Sequence, residues 1–304
     1  TPNAIQRFCT IFEKTIQAGT IPLSPLPHTP APAEKDWTMV VLVPEEPDAF
    51  IAQLEAIAVN SAECGNYEIF FILPEQVSDP LQKTLDSLGG DIRFIQAKGE
   101  SNRIQALNNA LENASGRMFL FFQQHLAPLK NWLSHLKKGM QTHGTDRLFS
   151  ARIADKRGRI AHAGVVVDHN HTPVPAYQHL DMQFAPALQE RAFQMSDHFL
   201  AVERTWFFKT GGFTPDSGDY RFLDFCLKAG QLSQIPAPVI FLPALQMIFL
   251  ADVPEKRNSD HAIYFFGRWH GTLWESKTKL YREDGVSPEK LAHSTMTSAM
   301  EAFR

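Results

Sequence analysis

Cysteine is scarce in this chain of 304 residues: only Cys9, Cys64 and Cys226 occur, and no two stand at the close C-x-x-C spacing of thiolate metal sites. Three scattered cysteines read as reduced, buried thiols, which points to the cytoplasm. Long apolar runs are also missing. None approaches the ~20 residues of a membrane span, and no charged-then-apolar leader opens the chain. An excess of positive charge is absent too: the formal net charge is -4 and both signs are mixed along the sequence, which argues against a nucleic-acid surface. No G-x-G-x-x-G follows the first apolar run, which removes the main support for a dinucleotide-binding oxidoreductase. The chain opens on Thr1 rather than Met, which reads as a piece of a longer protein or a processed chain.

What is present is an ordinary globular composition, 44% apolar and 20% charged, enough for one large core and a small appendage. Ile5, Phe8, Phe12 and Ile16 recur at three- and four-residue steps and predict a short amphipathic helix. Prolines crowd the stretch from Pro22 to Pro32, a composition that holds neither a helix nor a central strand. Residues 1–36 are therefore expected to be an N-terminal helix and linker. After Trp37, short apolar runs at Met39–Val43, Ile69–Leu73, Ile92–Ile95 and Met118–Phe122 read as buried strands. Helical patterns near 48–62, 79–88 and 102–114 lie between them. This alternation predicts βαβ units whose ligand crevice lies beyond the carboxyl ends of the strands.

The second half is less regular. Strands are expected at Arg147–Ala154 and Val165–Asp168 around the turn Lys156-Arg157-Gly158-Arg159, and a helix at Phe222–Ala229 closed by Gly230. Val239–Leu242 reads as a last strand. The aromatic segment Tyr264, Phe265, Phe266, Trp269 and Trp274 is expected to be a helix on the sheet, and the tail from Pro288 to Phe303 is amphipathic.

Several segments, in order over roughly residues 38–275, carry a family resemblance. Met39-Val-Val-Leu-Val-Pro44, Ser115-Gly116-Arg117-Met118-Phe-Leu-Phe-Phe122 and Pro128-Leu-Lys-Asn-Trp132-Leu133 are three of them. Asp155-Lys-Arg-Gly158-Arg-Ile-Ala-His162-Ala163-Gly164-Val165 and Arg204-Thr-Trp-Phe-Phe-Lys-Thr-Gly211-Gly212-Phe213 are two more. Together they resemble the family-2 glycosyltransferases, especially the rhamnosyltransferase-like enzymes of surface-polysaccharide assembly. The resemblance implies an α/β fold of GT-A type, a mixed sheet flanked by helices, over residues 37–275, with 1–36 as the N-terminal appendage and 276–304 as a C-terminal helical tail.

It also implies a chemistry. Transfer of a sugar from a nucleotide diphosphate builds negative charge on the leaving pyrophosphate, which the family meets with a divalent cation on a D-x-D-like motif; a carboxylate deprotonates the acceptor hydroxyl. Here the metal-motif positions read Gln123, Gln124 and His125, a poor set for Mg²⁺, with His125 the residue able to serve Mn²⁺. The acid motif E-D-x-D falls on Arg221, Phe222, Leu223 and Asp224, so only its last acid survives. The nucleobase-reading acid is replaced near Leu73-Pro74, with Glu75 the nearest carboxylate, and the late metal histidine falls near Gln246. His162, His169, His171, His179 and His198 sit in the acceptor half; they read as surface or hydrogen-bonded core histidines, with a shared metal site or an Asp197-His198 acid/base pair as the alternatives.

The site expected from the resemblance comprises Pro44, Glu75, Gln123, Gln124, His125, His162 and Gly164 for nucleotide or sugar binding. Asp216, Asp219, Asp224 and Asp197 are the candidate catalytic acids. No cofactor is expected unless the domain is active, in which case Mn²⁺ or Mg²⁺ would serve. The expected function is a glycosyltransferase-like binding or scaffold module, a pseudoenzyme, of a surface-glycan or protein-glycosylation system, with a nucleotide-sugar, a glycan, other domains or a partner enzyme as partners. The alternative is an active divergent glycosyltransferase.

Overall fold

The computed structural model describes residues 34–61, 65–252 and 257–286. The expected N-terminal helix and the tail from Pro288 lie outside the described residues. Four parallel strands open the fold: β1 (Lys35–Leu42), β2 (Tyr67–Ile72), β3 (Ile92–Ile95) and β4 (Gly116–Phe122). Between them run α1 (Pro47–Ser61), α2 (Asp79–Asp86) and α3 (Glu100–Glu112). These elements match the apolar runs and helical periods read above; β1, β2 and β4 are almost continuous apolar segments because both of their faces are covered, whereas β3, at the sheet edge, leaves Arg93 and Phe94 exposed.

The rest of the sheet is mixed. β6 (Leu148–Ala154), β10 (Arg191–Phe193), β11 (Phe199–Glu203) and β12 (Val239–Phe249) complete the order β10-β12-β6-β11-β4-β1-β2-β3, with β5 (Leu126–Pro128) on β12 and β7 (Ile160–His162) on β6. β12 runs parallel to β6, whereas β11 is antiparallel to both β4 and β6. A separate ribbon pairs β8 (Val165–Val167) with β9 (Pro173–Pro175). The remaining helices are α4 (Trp132–His143), α5 (Arg204–Lys209), α6 (Arg221–Ser233), α7 (Ser259–Trp269) and α8 (Lys277–Glu283).

Alternation along the strands sends neighbouring residues into different cores. Val40, Phe119, Phe121, Leu200 and Val202 face a core built with α3, α6 and α7, while Met39, Val41, Leu120 and Phe122 face one built with α1, α2 and α4. The first is unusually aromatic. Phe121 meets Phe213 edge to face at 4.7 Å, and Phe207 stacks on Phe225 at 5.3 Å, geometries that add a little to the burial of each ring. A third cluster forms around the β8–β9 ribbon, where Tyr177 stacks on Tyr281 of α8 at 5.4 Å and Val286 is buried. Chain beyond residue 275 thus contributes to the packed body.

Three expectations need correction. The helix after Phe222 does not stop at Gly230: α6 runs on to Ser233 and is capped by Gln234 in the left-handed region. Gly230 is needed inside the helix because Ile235 and Pro238 pass close to it. β12 extends to Phe249 rather than Leu242, since a register shift between Leu242 and Gln246 absorbs Pro243. Trp274 is outside α7 and 73% exposed, because the helix ends at Trp269.

Candidate functional site

The polar centre of the molecule lies where β4 ends and β11 begins. Because β11 is antiparallel to β4, Asp197 and His198 just before it sit beside Gln123 just after β4, and the Gln123 amide donates to His198 O at 2.9 Å. This is the crevice at the carboxyl ends of parallel strands that the βαβ pattern predicts. Gln53, wholly buried on α1, fixes the loop by donating Nε2 to Gln123 O at 3.1 Å and to Leu126 O at 2.9 Å. His125 and His198 both take left-handed backbone angles, φ 60° and 66°, a conformation that concentrates at functional positions.

Arg221 defines the centre. It opens α6 with its side chain 7% exposed. Its Nη2 donates to Gln123 Oε1 at 2.9 Å, and its Nη1 donates to Glu100 Oε1 and to Gly218 O, each at 3.2 Å. The residue at the first acid-motif position therefore holds the residue at the first metal-motif position. Glu100, the first residue of α3, also pairs with Arg103 one turn on. Burial lowers the pKa of Arg221, yet a guanidinium remains charged at any physiological pH.

The candidate acids fall in different surroundings. Asp224 is fully buried and accepts from Thr214 Oγ1 at 2.6 Å and Trp269 Nε1 at 2.9 Å, with Lys228 Nζ at 3.7 Å and Arg268 Nε at 3.8 Å. Its place is a core crossing of α6 and α7. Asp219 is exposed and holds His261 at 3.3 Å and the Asn258 amide at 2.8 Å. The His261 hydrogen bond first, then the Asn258 amide, brings its pKa down to about 2 in spite of partial burial. Asp216 is exposed and accepts from Ser101 Oγ at 3.3 Å.

Asp197 is the centre of a compact network. Its carboxylate pairs with Arg257 and accepts the His198 amide at 2.8 Å, while its own amide donates to His162 Nε2 at 3.2 Å. Burial pushes the Asp197 carboxyl up, but His198 and Arg257 outweigh it and leave the pKa below the usual carboxylate range. His162 is wholly buried; burial, helped by the neighbouring His198, lowers its pKa to about 3, so its ring is neutral. Its Nδ1 faces the Gly164 amide at 3.2 Å. Gly164 has φ 94° and lies against the Phe193 ring, where a side chain would collide. The segment His162-Ala163-Gly164 thus serves the packing behind Asp197.

The other expected binding residues are more scattered. Pro44 is buried after β1, and Gln124 Nε2 donates to Val43 O at 3.2 Å beside it. Glu75 is exposed on the β2 side and accepts the Gly99 amide at 3.4 Å. Gln246 lies within β12, its carbonyl accepting from Leu129 N at 3.0 Å. Of the five acceptor-half histidines, His162 and His198 meet here, with ring centroids 5.7 Å apart, while His171 bonds Leu273 O at 2.8 Å. Sequence reasoning misses Glu100, Arg103, Arg257 and His261; nothing in their spacing marks them, since the first two come from the start of α3 and the other two from the start of α7 and the segment before it.

A divalent cation does not fit Gln123, Gln124 and His125. Gln123 Oε1 already faces a guanidinium, and the Gln124 amide is turned to a backbone carbonyl. His125 Nδ1 is buried with no hydrogen-bond partner among the described residues, and burial lowers its pKa, but one imidazole beside a fixed cation makes a poor cation site. Among the described residues no group of three His, Cys, Asp or Glu could hold a metal.

A mixed sheet of this order, flanked by helices and with its polar crevice past β1, β2 and β4, defines a fold of the nucleotide-diphospho-sugar transferase type, GT-A. Residues 47–161 match the family model described as glycosyl transferase family 2. The acid-motif positions and Asp197 lie beyond the matched residues. Among solved structures the chain is similar to that of the mannosyltransferase PcManGT from Pyrobaculum calidifontis, in complex with GDP-Man and Mn²⁺. That likeness has a TM-score of 0.50 at 14% identity and covers 98% of this chain and 83% of the other, which speaks for the fold. No curated protein matches the chain. Among the described residues no helix is long and apolar enough to cross a membrane.

Proposed function

We propose that this domain binds a nucleotide-sugar or a glycan without transferring the sugar, as a pseudoenzyme module of a surface-glycan or protein-glycosylation system. The observation that carries the reading is the Arg221 guanidinium bridging Gln123 and Glu100. It stands where the resemblance expects a catalytic acid and sets a permanent positive charge against Gln123, where the resemblance expects a metal ligand. A guanidinium cannot accept the proton of an acceptor hydroxyl, so this centre supplies a cation without a base. Its three bonds here use three of five N–H donors, so the cation can still meet a diphosphate oxygen.

The candidate acids support the same reading. A general base works best with a pKa near the working pH. Asp219 lies far below that, Asp197 is lowered and committed to Arg257, and Asp224 is enclosed in the core. Asp216, exposed beside Ser101, is the acid on which an active divergent glycosyltransferase would have to rely. Cys226 is buried, and burial pushes its thiol up to about 12, consistent with an inert thiol and a cytoplasmic setting.

The test is calorimetry with GDP-Man, the nucleotide-sugar of the similar fold, alongside UDP- and dTDP-sugars, each with Mn²⁺ and with EDTA, paired with a release assay. The expected result is binding that survives EDTA, that falls about tenfold or more in Arg221→Gln through loss of a charge-assisted contact, and that gives background turnover. Mn²⁺-dependent turnover lost in Asp216→Ala would replace this reading with the active alternative.

A further inference from the structure

Glu100 stands between two arginines. One oxygen of its carboxylate accepts Arg221 Nη1 at 3.2 Å, and the other accepts Arg103 Nη2. A carboxylate held by two guanidinium groups at once makes the contacts that phosphate oxygens would make in its place. We propose that Glu100 is a built-in competitor of the anionic ligand: a diphosphate binds across Arg103 and Arg221 by displacing the Glu100 carboxylate. This rests on the diphosphate reading above and adds a regulation of that same site.

The surroundings favour displacement over simple addition of the ligand. Burial and the neighbouring Arg221 lower the pKa of Arg103, while Glu75, Asp219 and Glu45 act in the opposite direction, so the crevice already carries acids near the two cations. A polyanion entering beside an intact Glu100 would meet all of them, and repulsion at this range offsets much of what two arginines offer. Asp219 is engaged by His261 and the Asn258 amide, and Glu75 by the Gly99 amide. The Glu100 carboxylate has only the two arginines as partners among the described residues. It is therefore the acid that a ligand for those arginines releases.

Glu100 is also placed to leave. It is the first residue of α3, outside both apolar cores, and its side chain is 19% exposed against 7% for Arg221. Rotation about its side-chain bonds carries the carboxylate into water. Arg221 meanwhile keeps Gln123 Oε1 and Gly218 O, so the cation stays aimed at the crevice. Arg103 makes no other side-chain hydrogen bond among the described residues, which leaves its remaining N–H groups for the ligand. A site whose open form is only a fraction of the population binds with an apparent affinity lowered by that fraction. Removing the competitor restores it.

The experiment is calorimetry on the whole chain at about 50 mM salt, where charge screening is moderate, with inorganic pyrophosphate and with GDP as probes. Glu100→Gln keeps the shape and removes the charge, so pyrophosphate is expected to bind about fivefold or more tighter than to wild type, and GDP likewise. Adding Arg103→Ala to that variant should abolish the gain. Glu100→Asp, whose shorter side chain spans the two arginines less well, is expected to fall between wild type and Glu100→Gln, and it decides the question if Glu100→Gln does not fold. Unchanged or weaker pyrophosphate binding in the folded variant overturns the proposal and leaves Glu100 as a positioning residue for Arg221. A gain that persists without Arg103, or no pyrophosphate binding in any form, overturns it as well. Tighter pyrophosphate binding with no GDP binding would leave it standing and sink the nucleotide reading instead.

Discussion

Replacing Arg221 by alanine is the sharpest perturbation the structure offers. The side chain is 7% exposed and its partner Glu100 19%, so the pair is largely removed from water. Breaking a buried pair by deleting one member costs about 3–5 kcal/mol, because the survivor is left uncompensated. Glu100 keeps Arg103 here, which lowers the expected loss to about 2–3 kcal/mol once the ring contact between Arg221 and Phe222 is included. For a domain of this size that is a drop in Tm of about 5–10 °C. Urea melts at constant m-value would measure it, and a cycle with Glu100→Gln should give a coupling of about 1 kcal/mol or more. A loss below about 0.5 kcal/mol, with no coupling, would mean that the guanidinium is not locked in place and would remove the basis for the proposed function.

Asp224→Ala should cost about 3–5 kcal/mol in the same melts, since it leaves the buried Lys228 charge without its carboxylate and the Trp269 N–H without an acceptor; a mild effect with lost turnover would make Asp224 a catalytic group instead. Gly164→Ala should lose about 1–3 kcal/mol, from its φ of 94° and the collision with Phe193; a wild-type Tm would refute the packing role of the His162-Ala163-Gly164 segment. Stability should fall as the pH drops from about 6.5 towards 3, because unfolded His162 takes up a proton that the folded ring, with a pKa of about 3, refuses. The slope from this one residue is about 1 kcal/mol per pH unit, and His162→Gln should flatten it. Asp219, with a pKa of about 2, adds its own loss only below about pH 4, so an unchanged slope above pH 4 in His162→Gln would count against the histidine.

The first half of the fold was legible because buried parallel strands leave apolar runs that composition alone reveals; β3 was bounded to the residue and β4 to within two. The second half was not. β5, β7, β9 and β10 have three residues each, too short for a period of two to register, and β9 contains two prolines that a sequence reading assigns to a loop. The site was legible only as an expectation from the resemblance: Gln123, Gln124, His125 and Arg221 could be named at the motif positions, but not the hydrogen bond that joins Arg221 to Gln123. That Arg221 reaches Gln123 depends on β11 running antiparallel beside β4, a long-range pairing with no local signature. Arg257 and His261 enter from the segment around α7, where only the aromatic run was visible.

On the proposed reading, the acids missing from the expected motif positions are weighed together with the arginine found there. Had drift alone removed the catalytic carboxylates, small or apolar residues would suffice at both motif positions, and a buried guanidinium would be a cost, because desolvating a charge is unfavourable unless it is paired and hydrogen-bonded. Instead Arg221 is supplied with a carboxylate from α3, a carbonyl from the turn before α6 and an amide oxygen from the loop after β4. Gly218 makes part of this possible: its φ of 45° brings its carbonyl to Arg221, and a side chain there would strike His261. Three separate segments converge on one cation at the mouth of the crevice. Such convergence is what retention of an anion-binding role would require, and it follows from no requirement of the sheet or of either core.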